Sequence, residues 1–181
     1  MEEKRESLED LLAYVCTKLE QYQIMYMLSG SVALSAYTVP RYTRDVDIVV
    51  ELKSDDVNSL AQIFAHSFYF HRPSVEEEVQ RKGMFNVIDN ESGFKIDFMV
   101  KKHGAYRDAE FSRRRRDIVY ESEAWVVSAE DLLLSKLIWM QESESGVQKV
   151  DIQRIVADND LDMPYVRHWI NLLNLKTFSL L

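Results

Sequence analysis

Asp45 and Asp47 stand two residues apart in a run that otherwise wants an apolar interior: Val46, Ile48, Val49, Val50 and Leu52. Strand side chains alternate, so the two acids share one face while Val46 and Ile48 take the other. Burying a carboxylate costs several kcal/mol unless something pairs with it. Two carboxylates side by side also repel, which raises the pKa of one of them. A divalent cation that prefers hard oxygen ligands relieves both difficulties at once. A third acid has the same setting. In Phe94–Val100, the residues Phe94, Ile96, Phe98 and Val100 share a face, and Asp97 lies opposite with Lys95 and Met99. If this strand lies beside 45–52, Asp97 joins the cluster. Three carboxylates on adjacent strands can hold a pair of Mg²⁺ ions, which activate an attacking oxygen and steady a leaving phosphate.

The turn Ser29-Gly30-Ser31 supplies the other half of such a site. Glycine lets backbone approach a phosphate closely, a helix N-terminus favours an anion, and Ser31 adds a hydroxyl donor. A lone Ser-Gly-Ser or a lone Asp-x-Asp is common and uninformative. The ordered set of glycine turn, helix, Asp-x-Asp strand and later strand aspartate is far more specific.

The elements that must position these groups follow from periodicity. Leu8, Leu11, Leu12, Val15, Cys16 and Leu19 mark an amphipathic helix. Residues 23–28 predict a strand, the turn at 29–31 opens a short helix over 32–39, and Pro40 ends it. Strand 45–52 follows. Ser54 is expected to cap a helix running to about His66, and Ser74 with Glu77 to form a capping box for a helix ending at Gly83. Met84–Asp89 and Phe94–Val100 flank a four-residue loop and predict a hairpin. Residues 106–115 read as helical, then 117–120 and 124–127 as short strands around a Glu-Ser-Glu turn. From Ser128 onward only helices are predicted. Ser128 and Asp131 cap the first, 147–156 forms the second, and Pro164 opens a third with Tyr165, Trp169, Leu172 and Leu173 inward. The expectation is a mixed α/β core over 1–127 and a helical C-terminal unit over 128–181 packed on it.

Bulk composition agrees with a globular chain. The 181 residues are 46% apolar, with only 5 Gly and 3 Pro. A formal net charge of −8 disfavours broad nucleic-acid binding but leaves room for a local basic groove. The single cysteine, Cys16, excludes an internal disulfide framework and reads as a small core residue. The charged Met1–Asp10 segment does not read as a signal peptide and no apolar run approaches membrane length, so a reducing, cytoplasmic setting without membrane attachment is expected.

The blocks Leu28–Val50 and Phe94–Val100 resemble the DNA polymerase β-like nucleotidyltransferase superfamily. The phrase Arg41-x-Thr43-x-Asp45-Val46-Asp47-Ile48 is similar to small bacterial members related to the AbiEii-type toxins. A second block, Ser128–Trp139, is similar to the segment in those proteins where an Asp-Leu pair precedes a lysine, here Asp131 and Lys136. Val147–Val156 then matches a following helix with an aspartate, here Asp151. The resemblance spans about residues 27–156. It departs from the pattern in having Gly-Ser in the turn and in lacking an Arg-Asp pair beside Asp151.

The resemblance implies an α/β (α+β) fold, a nucleotidyltransferase-like mixed sheet flanked by helices. It implies Mg²⁺-dependent transfer of a nucleoside monophosphate from an NTP such as ATP to an acceptor hydroxyl. Asp45, Asp47 and Asp97 would be the metal ligands, with Asp97 also helping to deprotonate the acceptor. Gly30 and Ser31 would contact the β- and γ-phosphates, Lys136 the triphosphate, and Asp151 would support that lysine or the substrate. The acceptor implied is tRNA or a protein, in a toxin setting with an antitoxin partner. An aminoglycoside- or lincosamide-type small-molecule transferase and a non-catalytic nucleotide-binding module are the alternatives.

Several residues have plainer readings. Lys136 lies in an apolar helix, where a lysine commonly lays its stem over core surface. Arg41 and Arg44 border the acids and either contact phosphate or balance the charge. Arg113–Arg116 reads as a solvated helix end, or as a local grip on phosphates. The four histidines show no metal-ligand spacing.

Overall fold

The structure, a computed structural model, describes residues 5–181. Ser7 caps α1 (Leu8–Gln21) through a reciprocal box with Asp10, and the predicted apolar stripe is the buried one. The chain continues through β1 (Met25–Ser29), α2 (Gly30–Leu34), β2 (Asp45–Glu51), α3 (Asp56–Ile63), β3 (Phe68–Tyr69), α4 (Arg72–Arg81), β4 (Met84–Asp89) and β5 (Lys95–Val100). Then come α5 (Ala105–Ser112), β6 (Arg115–Val119), β7 (Ser122–Val126), α6 (Ala129–Glu142), α7 (Gly146–Asp158) and α8 (Met163–Leu172).

The strands form one mixed sheet in the order β3-β4-β5-β2-β1-β7-β6. β2 pairs parallel with β5 and antiparallel with β1, and β1 pairs parallel with β7. The predicted hairpin of β4 and β5 forms with its Asn-Glu-Ser-Gly loop. On one face of the central strands Val46, Ile48, Val50, Ile96 and Phe98 are all buried. Phe98 links the aromatics there, with ring centroids 5.1 Å from Phe85 and 5.6 Å from Phe64. α1 packs on β1 and β7, α2 on β1 and β2, and α6 on α2, α7 and α8. Among the described residues no helix is long and apolar enough to cross a membrane. Burial pushes the Cys16 thiol up to about 12, which suits an inert core cysteine.

Four expectations are corrected in detail. α4 begins at Arg72 with Pro73 in its first turn, so Ser74 lies inside the helix and does not cap it. Ser54 does not cap α3, whose N-cap is Asp55. The helix predicted over 106–115 stops at Ser112, and Arg115 and Arg116 lie in β6, where the turn to β7 is made by Tyr120 and Glu121 at φ +46° and +65°. In α8, Val166, Trp169 and Ile170 face inward while Leu172 is exposed.

One buried ion pair ties the N-terminal segment to the sheet. Arg5 donates to Asp89 at 3.0 Å, with both side chains almost fully removed from solvent, and its guanidinium lies over Tyr14 and Phe68. Burial works to raise the Asp89 pKa. The Arg5 guanidinium and the Ser92 hydroxyl overcome it, so the value lies below the ordinary one of 3.8. The pair therefore stabilises the fold above the unfolded-state pKa, and that contribution fades as pH falls through the lower folded-state value. Asp89→Asn leaves Arg5 buried without its counter-charge and should cost about 3–5 kcal/mol near neutral pH. Urea denaturation should show the gap from wild type narrowing in acid.

Candidate active site

β2 sits between β1 and β5, and its register places Asp47 opposite Ser29 on one side and Asp97 on the other. Asp45 lies opposite Lys95. The three acids therefore occupy adjacent positions on one face, about 4.8 Å apart from strand to strand. Val46 and Ile48, with no exposed surface, fix the strand from beneath. Gly30 follows β1 directly at φ +61°, a left-handed conformation that favours glycine. A Cβ built there would stand 1.8 Å from Asp47 Oδ2. The turn is thus pressed against the carboxylate, with the Ser31 backbone N–H near enough to favour its charged form. α2 has only 5 residues, so the field of a long helix end is not what it offers. It offers backbone N–H groups and a hydroxyl.

Burial is the largest influence on Asp47 and raises its pKa; the charges of Asp97 and Asp45 push the same way, against Lys136 and the Ser31 N–H. Lys95 answers part of this charge. Its Nζ lies 2.6 Å from Asp97 Oδ2 and 3.7 Å from Asp45 Oδ1. Its own pKa is raised, chiefly by the hydrogen bond to Asp97. Among the described residues no three His, Cys, Asp or Glu side chains close into a metal-holding group. The fold thus brings the predicted ligands to adjacent positions, and the Lys95 ammonium bridges two of them. Hard oxygen donors and the carboxylate repulsion at Asp47 fit Mg²⁺.

A second cluster flanks the turn. Lys136 and Asp151 are almost completely buried, and Lys136 Nζ donates to Asp151 Oδ2 at 2.8 Å and to Gln148 Oε1 at 3.0 Å. The side chain is only 4% exposed and its ammonium is hydrogen-bonded, so this is not a lysine whose stem merely covers core. Burial lowers its pKa, against the pull of Asp151. Arg41 joins the cluster to the turn. Its Nε stands 3.3 Å from Asp151 Oδ1, within ion-pair reach but out of line for a hydrogen bond, and its NH2 reaches Asp151 Oδ2 at 3.4 Å. The same NH2 donates to the Ser31 hydroxyl, whose own proton stays free to donate. Two cations around one buried carboxylate leave a net positive charge beside the acids.

The other candidates lie outside this assembly. Arg44 is exposed, and its side chain has no ion-pair or hydrogen-bond partner among the described residues. Asp131 is structural: its backbone N–H donates to Ser128, the N-cap of α6, and its carboxylate accepts from the Ser128 hydroxyl at 2.7 Å, from Arg113 at 3.1 Å and from the Tyr165 hydroxyl at 2.7 Å. The arginine run is occupied within the chain. Arg113 pairs with Glu130 and Asp131, Arg115 with Asp117, and Arg116 with Glu20 and Glu123, while Arg114 lies over Phe111 and Trp125. Sequence reasoning missed the bridging by Lys95 and the part of Gln148. Both had a signal: Lys95 shares the Asp97 face by alternation, and Gln148 lies three residues before Asp151 on one helical face.

This arrangement of sheet and helices is that of nucleotidyltransferase folds. The solution structure of the antibiotic-resistance factor ANT(2'')-Ia is similar with a TM-score of 0.59 at 11% identity, covering 92% of this chain and 90% of that one. The lincomycin-bound lincosamide antibiotic adenylyltransferase LnuA gives 0.55 at 14% identity, covering 84% and 98%. The crystal structure of ANT(2'')-Ia with adenylyl-2''-tobramycin gives 0.55 at 12% identity, covering 88% and 92%. At these identities the likeness establishes the fold. No protein-family model and no curated protein sequence matches the chain.

The Gly30 contact gives a direct test. Gly30→Ala introduces both a left-handed strain of about 1–2 kcal/mol and a collision with Asp47. Thermal denaturation should show a lower Tm than wild type, and a Tm equal to wild type would mean that the turn has room for a side chain.

Proposed function

We propose that this protein is a nucleotidyltransferase that moves a nucleoside monophosphate from an NTP to the hydroxyl of a small molecule. The observation that carries this is the row Ser29, Asp47, Asp97 across three paired strands, with Gly30 packed on the Asp47 carboxylate. Residues 1–127 would form the catalytic core, and 128–181 a helical unit that contributes Lys136 and Asp151.

Mg²⁺ held by Asp45, Asp47 and Asp97 would supply Lewis-acid stabilisation of charge developing on the phosphates. The Gly30 and Ser31 backbone and the Ser31 hydroxyl would hold β- and γ-phosphate oxygens. Lys136 and Arg41 would neutralise the triphosphate, with Asp151 and Gln148 keeping the Lys136 ammonium in place. Asp97 would accept the acceptor's hydroxyl proton. The acceptor oxygen forms a bond to the α-phosphorus, the bond from that phosphorus to the bridging oxygen breaks, and pyrophosphate leaves. Arg44, exposed at the start of β2, would meet phosphate only on substrate arrival.

A small acceptor is favoured because the arginine run is spent on intramolecular partners and the net charge is −8, which leaves little to grip a nucleic-acid backbone. Two of the similar structures hold small antibiotics or their adenylylated product. The second reading is a tRNA or protein acceptor in a toxin–antitoxin setting, and the AbiEii-like sequence blocks support it.

The test is incubation with Mg²⁺, labelled NTPs and separate pools of aminoglycosides, lincosamides, tRNA and protein. Label should pass to a small hydroxylated compound with release of pyrophosphate. Asp45→Asn and Asp47→Asn should each cut the rate by at least about a hundredfold. Label on tRNA or protein would favour the second reading. Transfer that survives both substitutions would refute the metal assignment, and nucleotide binding without any transfer would indicate a non-catalytic module.

A further inference from the structure

Lys95 has no part in the transfer described above, yet it is the cation nearest the acids. It lies two residues before Asp97 on β5, and so on the same face, and directly opposite Asp45 on β2. Its ammonium reaches Asp97 Oδ2 at 2.6 Å and Asp45 Oδ1 at 3.7 Å. Those two carboxylates flank Asp47, and all three belong to the proposed metal site.

The two lysines of the site are built differently. Lys136 is fixed, with a side chain 4% exposed and held by Asp151 and Gln148. The Lys95 side chain is 37% exposed, and among the described residues its only ion pairs are with Asp97 and Asp45. A lysine of that exposure can swing its flexible stem into solvent at little cost. A fixed cation would compete with any divalent ion for good, whereas a mobile one competes only until something better arrives.

We propose that Lys95 is an internal counter-ion that bridges Asp97 and Asp45 in the metal-free protein and is displaced when a divalent cation binds. This rests on the metal role of the three acids. It has two consequences. Without metal, Lys95 offsets the repulsion among Asp45, Asp47 and Asp97. With metal, its displacement weakens binding of the bare ion, so that loading favours the ion already carried by a triphosphate, whose oxygens add ligands.

The probe is Mn²⁺ alone, titrated by electron paramagnetic resonance into wild type, Lys95→Met, Lys95→Gln and Asp47→Asn. Wild type should bind weakly and Asp47→Asn not at all. Both Lys95 variants should bind about twofold to fivefold more tightly than wild type, the upper range expected from losing one partly exposed ion pair. Adding Asp97→Asn should remove that gain, because the competition is for Asp97. The metal-free Lys95 variants should also melt below wild type and recover more of their Tm on adding Mn²⁺. If wild type binds through Asp47 but the Lys95 variants bind no more tightly, the counter-ion is refuted and the metal site stands. If wild type shows no Asp47-dependent binding, the metal site falls and the counter-ion with it.

Discussion

The structure turns on one carboxylate held where it is least comfortable. Asp47 lies between Asp97 and the Ser29-Gly30 turn, largely buried, with like charges on neighbouring positions and its pKa raised as a result. Nothing in folding asks for this. An apolar residue on that face would pack at lower cost, because a buried ionised group is stabilising only when fully paired. The arrangement persists because rigid neighbours impose it. Val46 and Ile48 are clamped beneath the sheet, β1 and β5 fix the register, and Gly30 alone among the residue types leaves room for the carboxylate.

The rest of the site compensates for that charge. Lys136 and Asp151, from α6 and α7, form a buried pair that Gln148 completes, and Arg41 reaches from the loop before β2 to connect it with Ser31. The three acids and the Lys136–Asp151–Arg41 cluster thus form two adjacent groups, and Lys95 is the cation that pairs with the first. In the proposed reaction a divalent ion would use the first group and a triphosphate the second. The same backbone turn borders both.

The core of this was legible in the sequence because it depends on alternation and spacing. Period two placed Asp45 and Asp47 on one face and Asp97 with Lys95 on another strand, and the apolar partners of each fell on the buried face. The helical stripe of α1 and the β4–β5 hairpin were visible for the same reason. What escaped was tertiary. The parallel register of β2 with β5 comes from strands far apart in the chain, so the pairing of Asp47 with Asp97 could be hoped for but not fixed. The two-residue strand β3 is too short to show a period. Arg113–Arg116 has the composition of a solvated run, and only the fold reveals that its charges meet Glu20, Glu123, Glu130 and Asp131. Arg41 and Arg44 look equivalent in sequence, and the fold separates a bridging residue from an exposed one.

The most direct measurement is a crystal structure with Mg²⁺ and an NTP analogue whose α,β bridge cannot be cleaved. The account predicts the triphosphate between the Gly30 turn and the Arg41–Lys136 pair, the α-phosphorus beside Asp45 and Asp47, and Mg²⁺ on the three acids with Lys95 turned away. A nucleotide seated elsewhere, or Mg²⁺ bound without Asp47, would contradict it.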